Sequence, residues 1–281
     1  MNITEKNGIR PGEIKPDAGN AVPEHIGVMQ LASRMGEILL SNGAEIYRVK
    51  DTVERVIKSC GYENHSVYVL SNGIFITINE GSPDACTSIK HVPIGSVNLE
   101  KLARVNQISR NLCNGYISRE MAYAGLDEIE KKVNYTDLGM ALAYAFGSAG
   151  FDIILGGSLF DSIAAFLIGL GLYYVLKFLS IYGHVSRFPA NIAGALYITI
   201  FAAAFASSDL NLTFNNMVIG GIMPLVPGYA ITTSIRDLFN GDYLSGIIHL
   251  LDAFLTAACI AIGAGIGIMF IEYIGGGAVL L

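Results

Sequence analysis

The second half of this chain has very few charged residues. Of its 281 residues, 52% are hydrophobic and 15% are Asp, Glu, Lys or Arg. Before about residue 137 the charges occur every few positions, whereas beyond it they are rare and stand within or between long apolar runs. A helix of about 20 mostly apolar residues is long enough to cross a bilayer. The sequence therefore predicts a soluble domain joined to an integral membrane domain, which narrows the function to transport, sensing or membrane assembly.

The chain also lacks the patterns of a metal centre, a disulfide framework or an enzyme. Its cysteines are single and widely spaced, and no Cys-x-x-Cys pair or Cys/His cluster occurs in the sequence. No glycine-rich phosphate loop and no nucleophile–base constellation is readable. The formal net charge of -6 argues against nucleic acid as a partner. We therefore expect no cofactor, no metal and no enzymatic activity.

Residues 1–24 lack the apolar core of a signal peptide and are predicted to be disordered. Residues 25–135 then alternate between helical and strand patterns and predict an α+β domain of order ααβββαα. Asn42-Gly43 ends the first helix, and the second covers about 44–59. Strands are predicted at 66–70, 74–78 and 85–92, with a type I′ turn at Asn72-Gly73. The last two helices begin at the caps Asn98 and Ser118.

Polar turns in this domain offer one candidate pocket. Asn42 and Glu45 lie in the Ser-Asn-Gly-Ala-Glu stretch after the first helix, and Asn72 lies in the predicted hairpin. These side chains can line a site for a small ligand. The alternative is that they serve only as a helix end and a hairpin turn.

Residues 136–281 predict a membrane domain of about five transmembrane helices. Basic residues flank alternate loops, which places the soluble domain in the cytoplasm and the C-terminus outside under the positive-inside rule. Thr136 and Asp137 cap the first span, and Gly156-Gly157-Ser158 forms a tight turn after it. The spans are predicted at 138–155, 159–180, 190–207, 216–234 and 245–273.

Carboxylates at membrane depth are the first candidates for function, because a charge there is costly and usually faces a partner or a water-filled path. Asp152 and Asp161 flank the turn after the first span, where either can serve as an interfacial anchor instead. Asp252 lies three residues after His249, so the two side chains share a helix face and can carry a proton. The alternative places both at the cytoplasmic interface.

The fourth span cannot be a continuous helix, because Pro224 and Pro227 each remove a backbone donor and clash with the preceding turn. Gly228 follows directly. Broken helices in membranes are tolerated where they line a cavity or are buried in protein, and in many transporters they form the substrate site. A simple packing kink is the alternative. Gly263, Gly265 and Gly267 in the fifth span predict a close helix-packing seam.

Several stretches resemble one known family. Leu31–Tyr47 and Leu70–Ile78 are similar to the cytoplasmic domain of the bacterial threonine/serine exporters (ThrE type, with their YjjP-like half proteins). In the membrane half, Gly156-Gly157 with Asp161, then Pro224–Gly228, and then Ile235–Leu238 with Asn240–Asp242 resemble the membrane signature of that family. The similarity covers roughly residues 28–270.

The resemblance implies a multi-pass exporter of small polar metabolites in the bacterial inner membrane. Long members join two membrane halves, and this chain matches only the first. We therefore expect a homo-oligomer or a complex with a second small membrane protein of the family. The fused type is associated with threonine and serine and the split type with succinate, so the substrate stays open between these amino acids and a dicarboxylate.

The combined prediction is a subunit of an exporter driven by the proton motive force. The substrate site is expected around Pro224, Pro227 and Gly228, with Asp161 and Asp252 handling protons or the substrate ammonium group. Arg236, paired with Asp237, is expected to attract substrate carboxylates at the cytoplasmic mouth. The rival is a membrane-anchored sensor whose cytoplasmic domain binds a small ligand. The broken span favours transport, because an anchor needs no break.

Overall fold

The structure is a computed structural model that describes residues 23–93, 95, 97–131, 135–181, 183, 185–208 and 212–275. The predicted disordered segment 1–24 therefore lies almost entirely outside the described residues. The chain divides into two compact units. The N-terminal unit comprises the residues up to Ala44 and Arg48–Ile129, and the C-terminal unit comprises Glu45–Tyr47 and the residues from Glu130 onward.

The N-terminal unit has the predicted order of helices and strands. Asn98 caps α3 by accepting a hydrogen bond from the Lys101 amide at 3.0 Å, as its position predicts. Gly43 and Gly61, which follow the first two helices, adopt the positive φ angles of helix ends. The elements are α1 (Glu24–Ser41), α2 (Ile46–Ser59), β1 (His65–Leu70), β2 (Gly73–Ile78), β3 (Cys86–His91), α3 (Leu99–Cys113) and α4 (Arg119–Lys131).

The strands form one antiparallel sheet of order β1-β2-β3. The predicted type I′ turn at Asn72-Gly73 is wrong. Leu70 pairs with Gly73, so Ser71 and Asn72 form the connection, and the non-glycine positive φ in the described chain is at Asn79. Gly73 stays extended because it pairs with Leu70 on one side and with His91 on the other.

The helix α1 packs against the sheet. The buried strand residues include Ile74, Ile76 and Ile78 of the central strand. Gly36 of α1 makes the close approach possible, because a Cβ there would lie 2.9 Å from Ile74 Cδ1 and 3.0 Å from Val53 Cγ2. Ion pairs Arg34–Asp127 and Arg104–Glu128 join α4 to α1 and α3.

The C-terminal unit is helical in its described part from Asp137 onward. Thr136 caps its first helix by accepting a hydrogen bond from the Gly139 amide at 3.2 Å. Gly156, in the predicted tight turn, has a φ of 92°. The helices are α5 (Asp137–Ile154), α6 (Leu159–Ile181), α7 (Arg187–Ala206), α8 (Phe214–Ile222), a 3-10 turn (Met223–Leu225), α9 (Gly228–Phe239) and α10 (Tyr243–Gly275).

Three helices of the described chain are long and apolar enough to cross a membrane, and a fourth span is possible if the bent pair counts as one. They are α6, α7 and α10, with α8 and α9 as the pair. These match the second, third, fifth and fourth predicted spans. The remaining predicted span, α5, is not apolar enough to count among these helices, because its aspartates, its glycines and Ser148 lower its hydropathy.

The core of this unit is shared by α6, α7, α8 and α10. It includes Ile168 and Leu172 of α6, Ile198 of α7, Met217 of α8 and Ile260 of α10. The α5 helix packs along α6 at Gly169, where a Cβ would lie 2.5 Å from Ser148 Oγ. The packing therefore brings the start of the bent pair against both α5 and α6.

Candidate functional site

The bent pair is broken where the prolines predict it. The α8 helix ends at Ile222, the 3-10 turn follows, and α9 begins at Gly228. The axes of the two segments differ by 56°. Pro227 is the residue before α9, and Val226 between the segments is extended, with φ -64° and ψ 126°.

The break leaves backbone polar groups without helical partners. Pro224 has no N–H, so the Gly220 carbonyl loses the donor that residue 224 supplies in a continuous helix. The Val226 amide donates to the Met223 carbonyl at 3.2 Å, and the Gly228 amide donates to the Val226 carbonyl at 2.8 Å. The following first turn of α9 presents further N–H groups without intrahelical acceptors. The break therefore places carbonyl acceptors of α8 close in sequence to amide donors of α9.

Arg236 and Asp237 near the end of α9 do not pair with each other. The Arg236 guanidinium instead donates to the Glu45 carboxylate at 2.5 Å, and Glu45 is 7% exposed. Asp237 is 1% exposed, and neither of its carboxylate oxygens has a hydrogen bond. His249 Nδ1 lies 3.6 Å from Asp237 Oδ2. The predicted local pair is therefore replaced by contacts with more distant residues, because adjacent residues on a helix point in different directions.

His249 and Asp252 also have separate partners. Asp252 accepts a hydrogen bond from Arg187 at the start of α7, whereas His249 lies beside Asp237 of α9. The predicted shared face on α10 is geometrically possible, but each side chain is drawn toward a different neighbouring helix. The structure thus joins α10 to α7 and α9 through these two contacts.

Asp161 fixes the backbone around the start of α6. Its Oδ2 accepts from the Ser158 amide at 3.0 Å, and its Oδ1 accepts from the Thr213 amide at 2.7 Å. Asp161 is 1% exposed. Both carboxylate oxygens therefore serve the turns before α6 and α8, and the predicted role in handling protons or substrate stays a prediction.

Asp152 forms a second buried carboxylate next to this turn. It is 0% exposed, and Ser162 Oγ donates to its Oδ2 at 2.7 Å. Its Oδ1 has no hydrogen-bond partner, and neither has the buried hydroxyl of Ser148 one helical turn earlier. The sequence left Asp152 open between a functional carboxylate at membrane depth and an interfacial anchor. Its burial depends on small residues in other segments, which no local pattern reveals.

The three residues of the predicted N-terminal pocket have different hydrogen-bond partners, and the pocket stays a prediction. Asn42 Nδ2 donates to the Ile38 carbonyl at 2.7 Å, which closes the end of α1. The Asn72 carbonyl accepts from the Val92 amide, and its side chain is exposed. Glu45 belongs to the C-terminal unit through Arg236. A surface depression along α2 has none of the three in its lining, which runs from Asp51 to Ser59.

No group of three or more His, Cys, Asp or Glu side chains that could hold a metal ion occurs in the part of the chain that the structure describes. What the C-terminal unit offers is a break between two helices, two buried carboxylates with unsatisfied oxygens, and ion pairs between helices. These are means of binding a small polar molecule or a proton.

Comparison with known proteins gives one family over most of the chain. The family described as "Putative threonine/serine exporter" matches residues 30–271. The match includes both units and the broken helix pair.

Curated relatives are similar over the same region. The threonine/serine exporter of Corynebacterium glutamicum is 28% identical over 88% of this chain and 52% of its own length. A probable threonine/serine exporter of Mycobacterium tuberculosis is 22% identical over 84% of this chain and 45% of its own length. The pheromone-regulated membrane protein 10 of Debaryomyces hansenii is 22% identical over 83% of this chain and 24% of its own length.

The chain thus spans about half the length of the two bacterial relatives that it matches. No solved structure matches it.

Proposed function

Because this chain belongs to the threonine/serine exporter family, we propose that it takes part in exporting threonine, serine or a similar small amino acid across a membrane. The observation that carries the proposal is the helix break at residues 223–227. An anchor or a sensor stalk gains nothing from such a break, whereas transporters use broken helices to bind polar substrates at membrane depth.

The two sides of the break are complementary to an amino acid. The N-terminus of α9 carries the positive end of the helix dipole, which favours a carboxylate. The C-terminus of α8 carries the negative end, and the Gly220 carbonyl there has lost its helical donor to Pro224, which favours an ammonium group. A dicarboxylate has no ammonium group to bind at the C-terminus of α8. The geometry therefore supports an amino acid over the succinate alternative, which has no counterpart among the names of the relatives.

Arg236, Asp237, His249 and Asp252 are proposed to line the cytoplasmic end of the pathway. Lys177, Arg187 and Arg236 lie at the ends of their helices opposite to the turn of Asp152 and Asp161. Basic residues favour the cytoplasmic side. This orientation requires α5 to cross the membrane as well. The close contact of α5 with α6 and α8 supports such a crossing, because its polar side chains are then shielded from lipid.

Energy from the proton motive force is proposed from the acidic groups within this unit. Asp152, Asp161 and Asp237 are buried carboxylates of this unit, and carboxylates at membrane depth mark proton pathways in transporters. A second copy or a separate second half is the proposed partner, since the chain spans about half of its bacterial relatives.

The test is efflux from proteoliposomes that hold the purified chain, loaded separately with threonine, serine and succinate, with and without an imposed pH gradient. We expect efflux of threonine or serine above the rate of protein-free vesicles. Pro227→Ala should lower that rate, because it restores a backbone donor at the break. Pro189→Ala is the matched control, since Pro189 lies in the first turn of α7, where a proline is compatible with the helix.

Amino acid flux through the wild type that Pro227→Ala leaves unchanged would remove the break from the mechanism. Specific binding of an amino acid with no flux, also after a second family half is added, would overturn the proposal in favour of a sensor.

A further inference from the structure

We infer that Asp152 binds and releases a coupling proton, an inference that rests on the proposed export function. Asp152 lies in the last turn of α5 and belongs to neither the helix break nor the cytoplasmic ion pairs. The first argument is its isolation from water. The residue is 0% exposed, so its carboxylate has lost the hydration that would stabilise a charge.

The surroundings of Asp152 do not replace that hydration. Ser162 Oγ supplies one hydrogen bond to Oδ2, at 2.7 Å, and Oδ1 has none. The charged group of the described chain that acts on it is another carboxylate, that of Asp161 on α6. The helix α8 brings no ionisable side chain, and neither does the 3-10 turn. A carboxylate in these surroundings is stabilised by taking up a proton, which removes its charge.

A second buried polar group on α5 also has no partner. It is the hydroxyl of Ser148, which lies one helical turn before Asp152. Gly169 of α6 leaves the space for that hydroxyl, since a Cβ there would lie 2.5 Å from Ser148 Oγ. Ser148 therefore donates no hydrogen bond to the carboxylate of Asp152, which leaves a charge on Oδ1 without that stabilisation.

Three glycines around Asp152 indicate that this carboxyl group is held closely. A Cβ on Gly157 would lie 2.1 Å from Asp152 Oδ2. A Cβ on Gly220 would lie 2.9 Å from Asp152 Cβ and 2.9 Å from the Ser148 carbonyl. With Gly169 against Ser148, the space for a larger side chain is absent on α6, on α8 and in the turn.

The contact with Gly220 connects the proton site to the helix break. Gly220 lies one helical turn before Pro224, and Gly147 of α5 approaches Pro224, where an added Cβ would lie 4.0 Å from Pro224 Cγ. The helix α5 thus contacts the break at Gly147 and α8 at Asp152. A change in the charge of Asp152 therefore acts on the contact of α5 with α8, next to the proposed substrate site. Uptake of one proton by the carboxylate on one side of the membrane, and its release on the other, is the proposed coupling step.

The test compares Asp152→Asn with Asp137→Asn in the full chain in lipid vesicles. Both variants lose one carboxylate from α5, but Asp137 is exposed and paired with Lys177. The first measurement is the infrared C=O stretch of protonated carboxyl groups near neutral pH. The second is the stimulation of amino acid efflux by a pH gradient, compared with substrate exchange in the absence of a gradient.

We expect Asp152→Asn to lose a carboxyl band and the stimulation by the pH gradient, and to keep exchange. Asp137→Asn should keep all three. An unchanged band or full gradient stimulation in Asp152→Asn would overturn the inference. A stimulation by a sodium gradient that disappears in Asp152→Asn would also overturn it, because the bound ion would then be sodium.

Two further results distinguish a failure of this inference from a folding defect and from a failure of the proposed export function. If Asp152→Asn does not fold, Ser162→Ala is tested in its place, because this variant keeps the carboxyl group of Asp152 and removes its hydrogen-bond donor. We expect the infrared carboxyl band to shift in Ser162→Ala. An unshifted band would assign the proton to another residue. If the wild type carries no amino acid at all, the export proposal fails, and the infrared band alone decides whether Asp152 binds a proton.

Discussion

At the residue scale, the carboxylates of the C-terminal unit occupy contrasting environments. Asp137 and Asp252 contact Lys177 and Arg187 and are partly exposed. Asp152 and Asp237 are almost fully buried and have oxygens without hydrogen bonds. An ion pair between accessible side chains changes the free energy of unfolding little. A buried carboxylate without hydrogen bonds lowers that free energy. Such a group is therefore expected to matter more for function than for folding.

Asp237→Asn is predicted to leave the stability unchanged or to raise it, because it removes a buried negative charge that has no hydrogen bond. Transport should nevertheless fall by about tenfold or more if Asp237 and His249 handle a proton. The thermal midpoint in detergent and the efflux rate check the two parts. A large fall in the midpoint would instead assign Asp237 to the fold.

Asp252→Asn is predicted to cost about 0–1 kcal/mol of stability, because partly exposed ion pairs contribute no more than that. A double-mutant cycle with Arg187→Gln measures the coupling free energy between the two side chains. If transport falls while stability stays within this range, Asp252 acts in the pathway. A coupling of several kcal/mol would contradict the assignment of this contact as a weak surface pair.

At the element scale, α10 packs on α7 through glycine. A Cβ on Gly263 would lie 2.2 Å from the Ile192 carbonyl, and a Cβ on Gly267 would lie 2.7 Å from Thr199 Cβ. Gly265 has open space around its Cβ position. The predicted seam therefore uses the positions four residues apart and not the one between them, because helical periodicity turns Gly265 away from α7.

This arrangement predicts a matched series of alanine substitutions. Gly263→Ala and Gly267→Ala should each destabilise the protein by about 1–3 kcal/mol, because they force α10 away from α7. Gly265→Ala should be neutral or stabilising by up to about 1 kcal/mol, since alanine is the better helix former. Thermal or denaturant unfolding in one detergent compares the three. Equal effects at all three positions would contradict the observed packing.

The break between α8 and α9 gives a second prediction at this scale. The double variant Pro224→Ala, Pro227→Ala should reduce the 56° bend, because both residues regain a donor and lose the ring clash. The distance between spin labels at Ile219 and Ile235, which are partly exposed in the wild type, should increase. An unchanged distance would show that packing against α5 and α7, and not proline, maintains the bend.

At the scale of the whole molecule, the chain is asymmetric along its membrane helices. One end of the described helices carries Lys177, Arg187 and Arg236, and the other carries Asp152, Asp161 and the turn at Ser207-Ser208. The positive-inside rule predicts that the first end faces the cytoplasm. Orientation is thus a property that the charges predict and that labelling can measure.

We expect Ser208→Cys, in a chain whose native cysteines are replaced, to react with a membrane-impermeant maleimide on intact cells. Lys58→Cys should react only after the cells are permeabilised. Both positions are exposed, so access alone decides the outcome. Replacing the native cysteines is useful because they differ in reactivity; burial raises the pKa of the Cys60 thiol and so lowers its thiolate fraction. Labelling of Lys58→Cys on intact cells would reverse the proposed orientation.

Features that depend on neighbouring residues could be predicted from the amino-acid sequence. The loss of charge after residue 137, the break at Pro224 and Pro227, and the caps Asn98 and Thr136 could be predicted, because hydropathy, missing amides and cap hydrogen bonds act within one or two turns. The hairpin was predicted as well, but its connecting residues were not, since pairing of Gly73 on both sides overrode the turn preference of Asn-Gly.

Contacts between residues far apart in the sequence became visible in the folded structure. Arg187 joins Asp252, Glu45 joins Arg236, and Ser162 joins Asp152 across gaps that no periodicity spans. The burial of Asp152 follows from glycines on α8 and in the turn after α5, which let the backbones approach until no water fits. The sequence shows that such small residues are present, but the energy of a buried carboxylate depends on what packs around it, and packing exists only in the folded chain.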